Sequence, residues 1–225
     1  MRICTWNQAG GPTVEKLARV LSHRPSLVAL QEAPRPSRSA AFRGPWRGNN
    51  RHRGVALLSF HDLTARVAHK ARTRAKLFLP CQVSGSVSFN VLVVWAKPWY
   101  YRSSYVSSLV RGLSAYASFI QSAPTIVLGD FNSNPCFGES HFEWVRLLDD
   151  LGLVSAYHLQ TGEPPGRERR PTYFHRATGG QPYHIDYCFI PMTWTSHLVH
   201  VTVGRKSTWS NSSDHVPLMV DLNLP

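Results

Sequence analysis

The chain has 225 residues, 43% of them hydrophobic and 17% charged, which excludes a disordered chain and gives enough length to bury a core without a disulfide or metal staple. No apolar run approaches the roughly 18 residues that span a bilayer. The first residues lack a signal peptide's charged start, apolar stretch and cleavage site, so the sequence reads as a cytoplasmic protein with no membrane contact.

In chain order, Arg2–Asn7 reads as a strand, and Thr13–His23 as a helix with Val14, Leu17, Ala18 and Leu21 at helical spacing. Ser26–Gln31 is a second strand, ending at Glu32. Ala33–His52, rich in Pro, Arg and Ser, reads as a loop. Strands follow at Gly54–Phe60, Lys76–Val83 and Phe89–Ala96, then a helix over Ser103–Gln121. An apolar strand at Pro124–Gly129 runs into Asp130. A helix over Glu139–Leu151 and a turn-rich basic loop at Gly162–Pro171 precede strands at Thr172–His175, His184–Ile190, Leu198–Val203 and Val216–Leu222. Many strands with a few helices and no linker predict one domain over residues 1–225. Its fold class is α/β, two packed sheets with helices outside.

The formal net charge is +12, and its excess sits in one stretch: residues 33–128 hold 14 basic residues and one acid, Asp62. Such a cluster attracts a polyanion by Coulomb attraction and counterion release. Cys4, Cys81, Cys136 and Cys188 lie far apart without a C-x-x-C pair and read as buried reduced thiols. Asn211-Ser212-Ser213 matches a glycosylation sequon, read as chance without an export signal.

Polar residues repeatedly stand at the tips of apolar strands. Asn7 follows Ile3–Trp6, Glu32 follows Leu27–Leu30, and Asp130 and Asn132 follow Thr125–Gly129. Asp186 interrupts an apolar run, and Asp214-His215 precedes Val216–Val220. Strands that start or end at one edge of a sheet can bring such tips together. A carboxylate buried inside a strand, as Asp186 is expected to be, is costly unless paired or bound to metal. The pooled set of hard oxygen ligands suits Mg²⁺ or Mn²⁺, and a His beside an Asp can be held as imidazolium facing an anionic transition state.

The order Trp6-Asn7, Leu30-Gln31-Glu32, Gly129-Asp130-Phe131-Asn132, Ile185-Asp186-Tyr187 and Ser213-Asp214-His215-Val216-Pro217-Leu218 resembles the endonuclease/exonuclease/phosphatase superfamily. The resemblance spans residues 5–222. It implies a four-layered α/β sandwich, two mixed sheets flanked by helices, and divalent-metal-dependent hydrolysis of a phosphate ester. It further implies Glu32 as the main metal ligand with Asn7 beside it and Asp214 near the metal. Asp130 would activate the attacking water and Asn132 orient it. Asp186 would keep His215 charged, and His215 would hold the scissile phosphate.

Two departures stand out. Ala9 occupies a position where exonuclease III-like members often carry an acid, and Lys97 follows the Phe89–Ala96 strand where many members bring a His or Tyr to the phosphate. Lys97, Tyr100, Tyr101, Arg102, Thr172, Tyr173, Trp194 and Trp209 are candidate substrate contacts, since aromatics near a basic face can stack on bases. Trp209, on a polar loop five residues before Asp214, leads them. His175 and His184 flank the Asp186 region. Three functions share this pattern. The clustered charge favours a nuclease acting on DNA; a phosphatase or phosphodiesterase acting on a small molecule or lipid head group is the alternative. The intact Glu32, Asp130, Asn132, Asp186 and His215 count against a non-catalytic nucleic-acid binder.

Overall fold

A computed structural model describes residues 1–11, 13–36, 44–68, 77–98, 104–138, 140–175 and 180–224. The strands are β1 (Arg2–Asn7), β2 (Leu27–Ala33), β3 (Trp46–Asn50), β4 (Arg53–Ser59), β5 (Thr64–Val67), β6 (Phe78–Ser84), β7 (Phe89–Trp95), β8 (Thr125–Asp130), β9 (Leu153–Ser155), β10 (Asp186–Pro191), β11 (Leu198–Val203) and β12 (Leu218–Leu222). The helices are α1 (Thr13–Leu21), α2 (Tyr105–Ala115), α3 (Ala117–Gln121), α4 (His141–Asp150), α5 (Ala156–Thr161) and α6 (Lys206–Trp209).

The strands form two six-stranded mixed sheets, ordered β11-β12-β1-β2-β4-β3 and β5-β6-β7-β8-β10-β9. Each sheet holds one parallel pair, β1·β2 and β7·β8, and its other pairs are antiparallel. Parallel neighbours need a crossover; α1 supplies the first, α2 and α3 the second. The inner faces meet in a core that includes Ile3, Leu27 and Leu57 from one sheet and Leu79, Val93 and Leu128 from the other. Outside the first sheet, Leu17 and Val20 of α1 cover Cys4, Trp6, Val28 and Leu30. Outside the second, Leu109, Leu113, Trp144 and Leu148 of α2 and α4 cover Phe78, Leu92, Val94 and Val127. The result is the expected four-layered α/β sandwich, and central strands covered on both faces explain their unbroken apolar runs.

Several local expectations are corrected. Within the expected loop 33–52, Trp46–Asn50 is a strand paired with β4. The Thr64–Val67 strand and the Leu153–Thr161 strand–helix segment carried no periodic signal. The long helix over 103–121 breaks at Tyr116 (φ −107°, ψ 8°) into α2 and α3. Thr172–His175 makes only isolated bridges through Tyr173. Cys4, Cys81 and Cys188 are buried free thiols, but Cys136 is exposed, because it lies on a one-turn helix at 135–137 outside the sheets. No helix among the described residues is long and apolar enough to cross a membrane.

Candidate active site

Parallel pairing fixes where the site forms. In each parallel pair the carboxyl ends lie at one edge, where α/β sheets commonly bind ligands, and the strand tips meet there in an open cleft of about 690 Å³. Asn7, Glu32, Asp130, Asn132, Asp214 and His215 line it, with Ala9, Arg53, Lys97, Tyr173 and His175.

Each side chain is aimed by a local backbone device. The β2·β4 register shifts between Leu30 and Ala33, and Glu32 takes φ 56° there; this bulge re-aims one side chain out of the pleat. Ala9 (φ 54°) and Asn132 (φ 48°) are also left-handed. Residues held in this disfavoured region concentrate where function over-determines the backbone. Gly129 (φ +146°) packs so closely on β7 that a Cβ would lie 1.8 Å from the Val94 carbonyl oxygen. Only glycine permits that approach, and it sets Asp130 at the end of β8.

Asp130 is buried and fully engaged. Asn7 Nδ2 donates to its Oδ2 at 2.9 Å, and Asn132 donates to both oxygens, Nδ2 to Oδ2 at 2.9 Å and its backbone N–H to Oδ1 at 2.9 Å. Asp186 stands opposite Asp130 in the β8·β10 register. His215 Nδ1 donates to Asp186 Oδ2 at 2.8 Å. Thr172, itself buried, accepts the Ile185 and Asp186 N–H groups on Oγ1 at 3.0 Å each. Ser213, inside the sequon, is also buried: its Oγ donates to the Asn7 carbonyl at 2.6 Å and accepts the His215 N–H at 3.0 Å. That hydroxyl joins the β1 tip to the segment entering β12.

Electrostatics separates the two central groups. Burial, reinforced by the Asp186 charge, pushes the Asp130 carboxyl up to about 7 against the pull of His215 and the Asn7 and Asn132 hydrogen bonds. Burial alone would lower His215, but the Asp186 and Asp130 carboxylates outweigh it and raise the imidazole to about 9. A buried carboxyl with raised proton affinity thus lies beside an imidazole held in its charged form, a separation that general acid–base chemistry can use.

Donor atoms of Asp130, Asp186 and His215 all lie within 4.8 Å of one another. His215 Nδ1 is occupied by Asp186, so His215 serves as a cation in this set. Asp186 Oδ1 is buried without a hydrogen-bond partner. In the cleft itself Glu32 and Asp214 offer carboxylate oxygens and Asn7 an amide oxygen, and the chemistry of this hard-oxygen donor set fits a divalent cation.

The other expected contacts divide. Tyr173 lies in the cleft with its ring 4.8 Å from the His215 ring, and its hydroxyl is 3.2 Å from His175 Nδ1. Lys97 lines the cleft with Nζ 4.4 Å from the Trp95 ring centroid. Trp209 corrects its expectation: it is 2% exposed and packs edge-to-face on Trp6 at 5.1 Å, so it has no face to offer a base. Trp194 packs on Phe89. His184 is buried outside the cleft, its Nδ1 on the Arg170 carbonyl. Tyr100, Tyr101 and Arg102 lie outside the described residues. Arg53 and Tyr105, which the sequence reading passed over as site residues, line the cleft. The β2·β4 pairing that brings Arg53 to Glu32 was not encoded in either residue's neighbours.

A family model described as the Endonuclease/Exonuclease/phosphatase family matches residues 4–215. The chain belongs to that family. No curated protein sequence matches it. Among solved structures, the 3′ phosphatase NExo from Neisseria bound to product DNA hairpin is similar at TM-score 0.77 and 17% identity, over 100% of both chains. An AP endonuclease from Archaeoglobus fulgidus is similar at 0.77 and 16%, again over 100% of both. The endonuclease domain of TRAS1, a telomere-specific non-LTR retrotransposon, is similar at 0.75 and 16%, covering 99% of this chain and 98% of that one. At these identities the likeness is one of fold. Membership of the Endonuclease/Exonuclease/phosphatase family rests on the model match, which runs from β1 to His215.

Proposed function

We propose that this protein is a divalent-metal-dependent phosphodiester hydrolase acting on nucleic acid, with DNA the favoured substrate. The observation that carries the reading is the meeting of Asp130, Asn132 and His215 in one cleft, with Asn132 bonded to Asp130 and the buried Asp186 bonded to His215 from behind. Asp130 accepts the proton of the attacking water, and its raised affinity for protons suits that task near neutral pH. Asn132, tied to Asp130 and to the Ala96 carbonyl at 3.1 Å, orients that water. His215, kept charged by Asp186, faces the anion and stabilises charge as it develops on the phosphoryl oxygens. Glu32, Asn7 and Asp214 are the residues that would hold Mg²⁺ or Mn²⁺, which when bound neutralises the phosphate and supplies Lewis-acid assistance.

Charge supports the substrate class. Arg35, Arg51 and Arg53 are exposed around the β3–β4 hairpin, and Arg53 reaches the cleft. Arg47 is withdrawn from this face, its Nη1 spent on the Phe78 carbonyl at 3.0 Å and the Tyr116 hydroxyl at 2.7 Å. Arg53 at the cleft, with Arg35 and Arg51 exposed on the same hairpin region, suits a polyanion approaching the cleft carboxylates. Solved neighbours include a protein bound to a DNA hairpin, which supports the same class. The test is a labelled DNA duplex incubated with Mg²⁺, Mn²⁺ or EDTA, beside phosphate release from small phosphomonoesters. Metal-dependent strand cleavage lost in Glu32→Gln is expected. Phosphate release with no cleavage would replace the nuclease by a phosphatase, and salt-sensitive DNA binding without turnover would replace it by a non-catalytic binder.

A further inference from the structure

Arg53 opens β4, and its Nη1 lies 3.3 Å from Glu32 Oε2. The pair sits inside the cleft beside Asp130 and His215, and the bulge and left-handed φ of Glu32 are what turn its carboxylate there. The guanidinium crosses bare backbone at Gly10, where a Cβ would stand 3.7 Å from Nε, and Ala9 adds no charge of its own. The Arg53 side chain is 56% exposed and that of Glu32 19%, so the cation is the partner more open to solvent and to an approaching ligand.

The same carboxylate is the one assigned above as the main metal ligand, and the inference rests on that reading. A guanidinium and a dication within a few ångströms repel each other, so Glu32 cannot serve both at full strength. A guanidinium released beside the scissile position has a rigid donor fork suited to bidentate phosphate binding. We propose that Arg53 is a substrate-phosphate clamp stored on Glu32: the carboxylate exchanges Arg53 for a divalent cation, and the freed guanidinium takes a phosphate of the nucleic-acid backbone. Cation binding at Glu32 thus primes the phosphate contact.

The experiment compares the full chain with Arg53→Met, Arg53→Lys and Glu32→Gln. Mn²⁺ binding is read from the paramagnetic resonance signal of the free ion, and duplex-DNA KM is read across a salt series. Removing the competitor should tighten Mn²⁺ binding about threefold in Arg53→Met. Its KM for DNA should rise about tenfold, with the slope of log KM against log salt shallower by about one, the loss of one phosphate contact. Arg53→Lys should keep the slope. If Glu32→Gln loses Mn²⁺ while Arg53→Met binds it as the wild type does or more weakly, the exchange is overturned and the metal reading stands. If Arg53→Met leaves KM and slope unchanged, the clamp is overturned. If Glu32→Gln binds Mn²⁺ normally, the metal reading falls and the proposal falls with it.

Discussion

Asn7 Nδ2 and Asp130 Oδ2 lie 2.9 Å apart, although the first ends a strand of one sheet and the second a strand of the other. This bond ties the two sheets at the edge where the cleft opens and supplies one of the hydrogen bonds that hold Asp130 ionisable despite burial. Asn7→Ala should therefore lower the hydrolysis rate by about 10²-fold while costing about 1–2 kcal/mol of stability for a buried acceptor left short of a donor. Urea unfolding beside turnover checks both. Asn7→Asp should be worse for turnover than Asn7→Ala, because a second carboxylate at this distance raises the proton affinity of Asp130 further.

His141 provides a pH prediction away from the catalytic pair. Burial pushes its imidazole down to about 4, and burial likewise holds His184 below its ordinary value. His141 Nδ1 meets Ser133 Oγ at 3.0 Å, and the same oxygen accepts from Trp144 Nε1 at 3.1 Å. The unfolded chain takes up protons on these imidazoles near 6.5 and the folded chain resists, so their contribution to stability is present above about 6.5 and is lost as pH falls toward about 4. Asp130, raised to about 7, works in the opposite direction over the same range, so the prediction is a difference: the urea midpoint of His141→Gln should fall less, or rise more, between pH 7 and pH 5 than that of the wild type. The same pH dependence in both proteins would count against the buried neutral imidazole.

Gly129 tests the backbone device behind Asp130. A methyl at Gly129 would collide with the Val94 carbonyl at a φ that L-residues avoid. Gly129→Ala should destabilise the chain by about 3 kcal/mol or more, with the loss read by thermal melting. An unperturbed melt would mean that β7 and β8 are not so closely apposed.

Trp209 separates packing from substrate contact. Trp209→Ala should cost about 3–5 kcal/mol by opening a cavity beside Trp6, whereas Trp209→Phe should keep the fold and leave DNA affinity unchanged. A loss of affinity in the folded Trp209→Phe variant would restore it as a stacking platform.

The contrast between these residues shows what was legible in the sequence. Asn7, Glu32, Asp130, Asn132, Asp214 and His215 could be pooled because each stands at the tip of an apolar strand or beside one, and strand tips converge at a sheet edge. The central strands were legible because burial on both faces demands continuous apolar residues. Edge strands such as Trp46-Arg47-Gly48-Asn49-Asn50 and Thr64-Ala65-Arg66-Val67 hold no fully buried residue, so their hydrophobic pattern is too thin to read. Trp209 was misplaced because its Ser/Asn-rich surroundings suggested a solvated loop, whereas Lys206–Trp209 forms a helical turn that folds the ring onto Trp6. Arg53 stayed hidden because its approach to Glu32 depends on a long-range strand pairing and a bulge.

The most direct measurement is nicking of supercoiled plasmid with Mg²⁺, Mn²⁺ or EDTA by the wild type and by the combined Asp130→Ala, His215→Ala variant. Nicking by the wild type that requires the metal and vanishes in the variant is the expected result, since the variant removes both the residue proposed to accept the water's proton and the residue proposed to face the phosphate. Nicking that survives in the variant, or in EDTA, would contradict the assignment of this cleft as the catalytic centre.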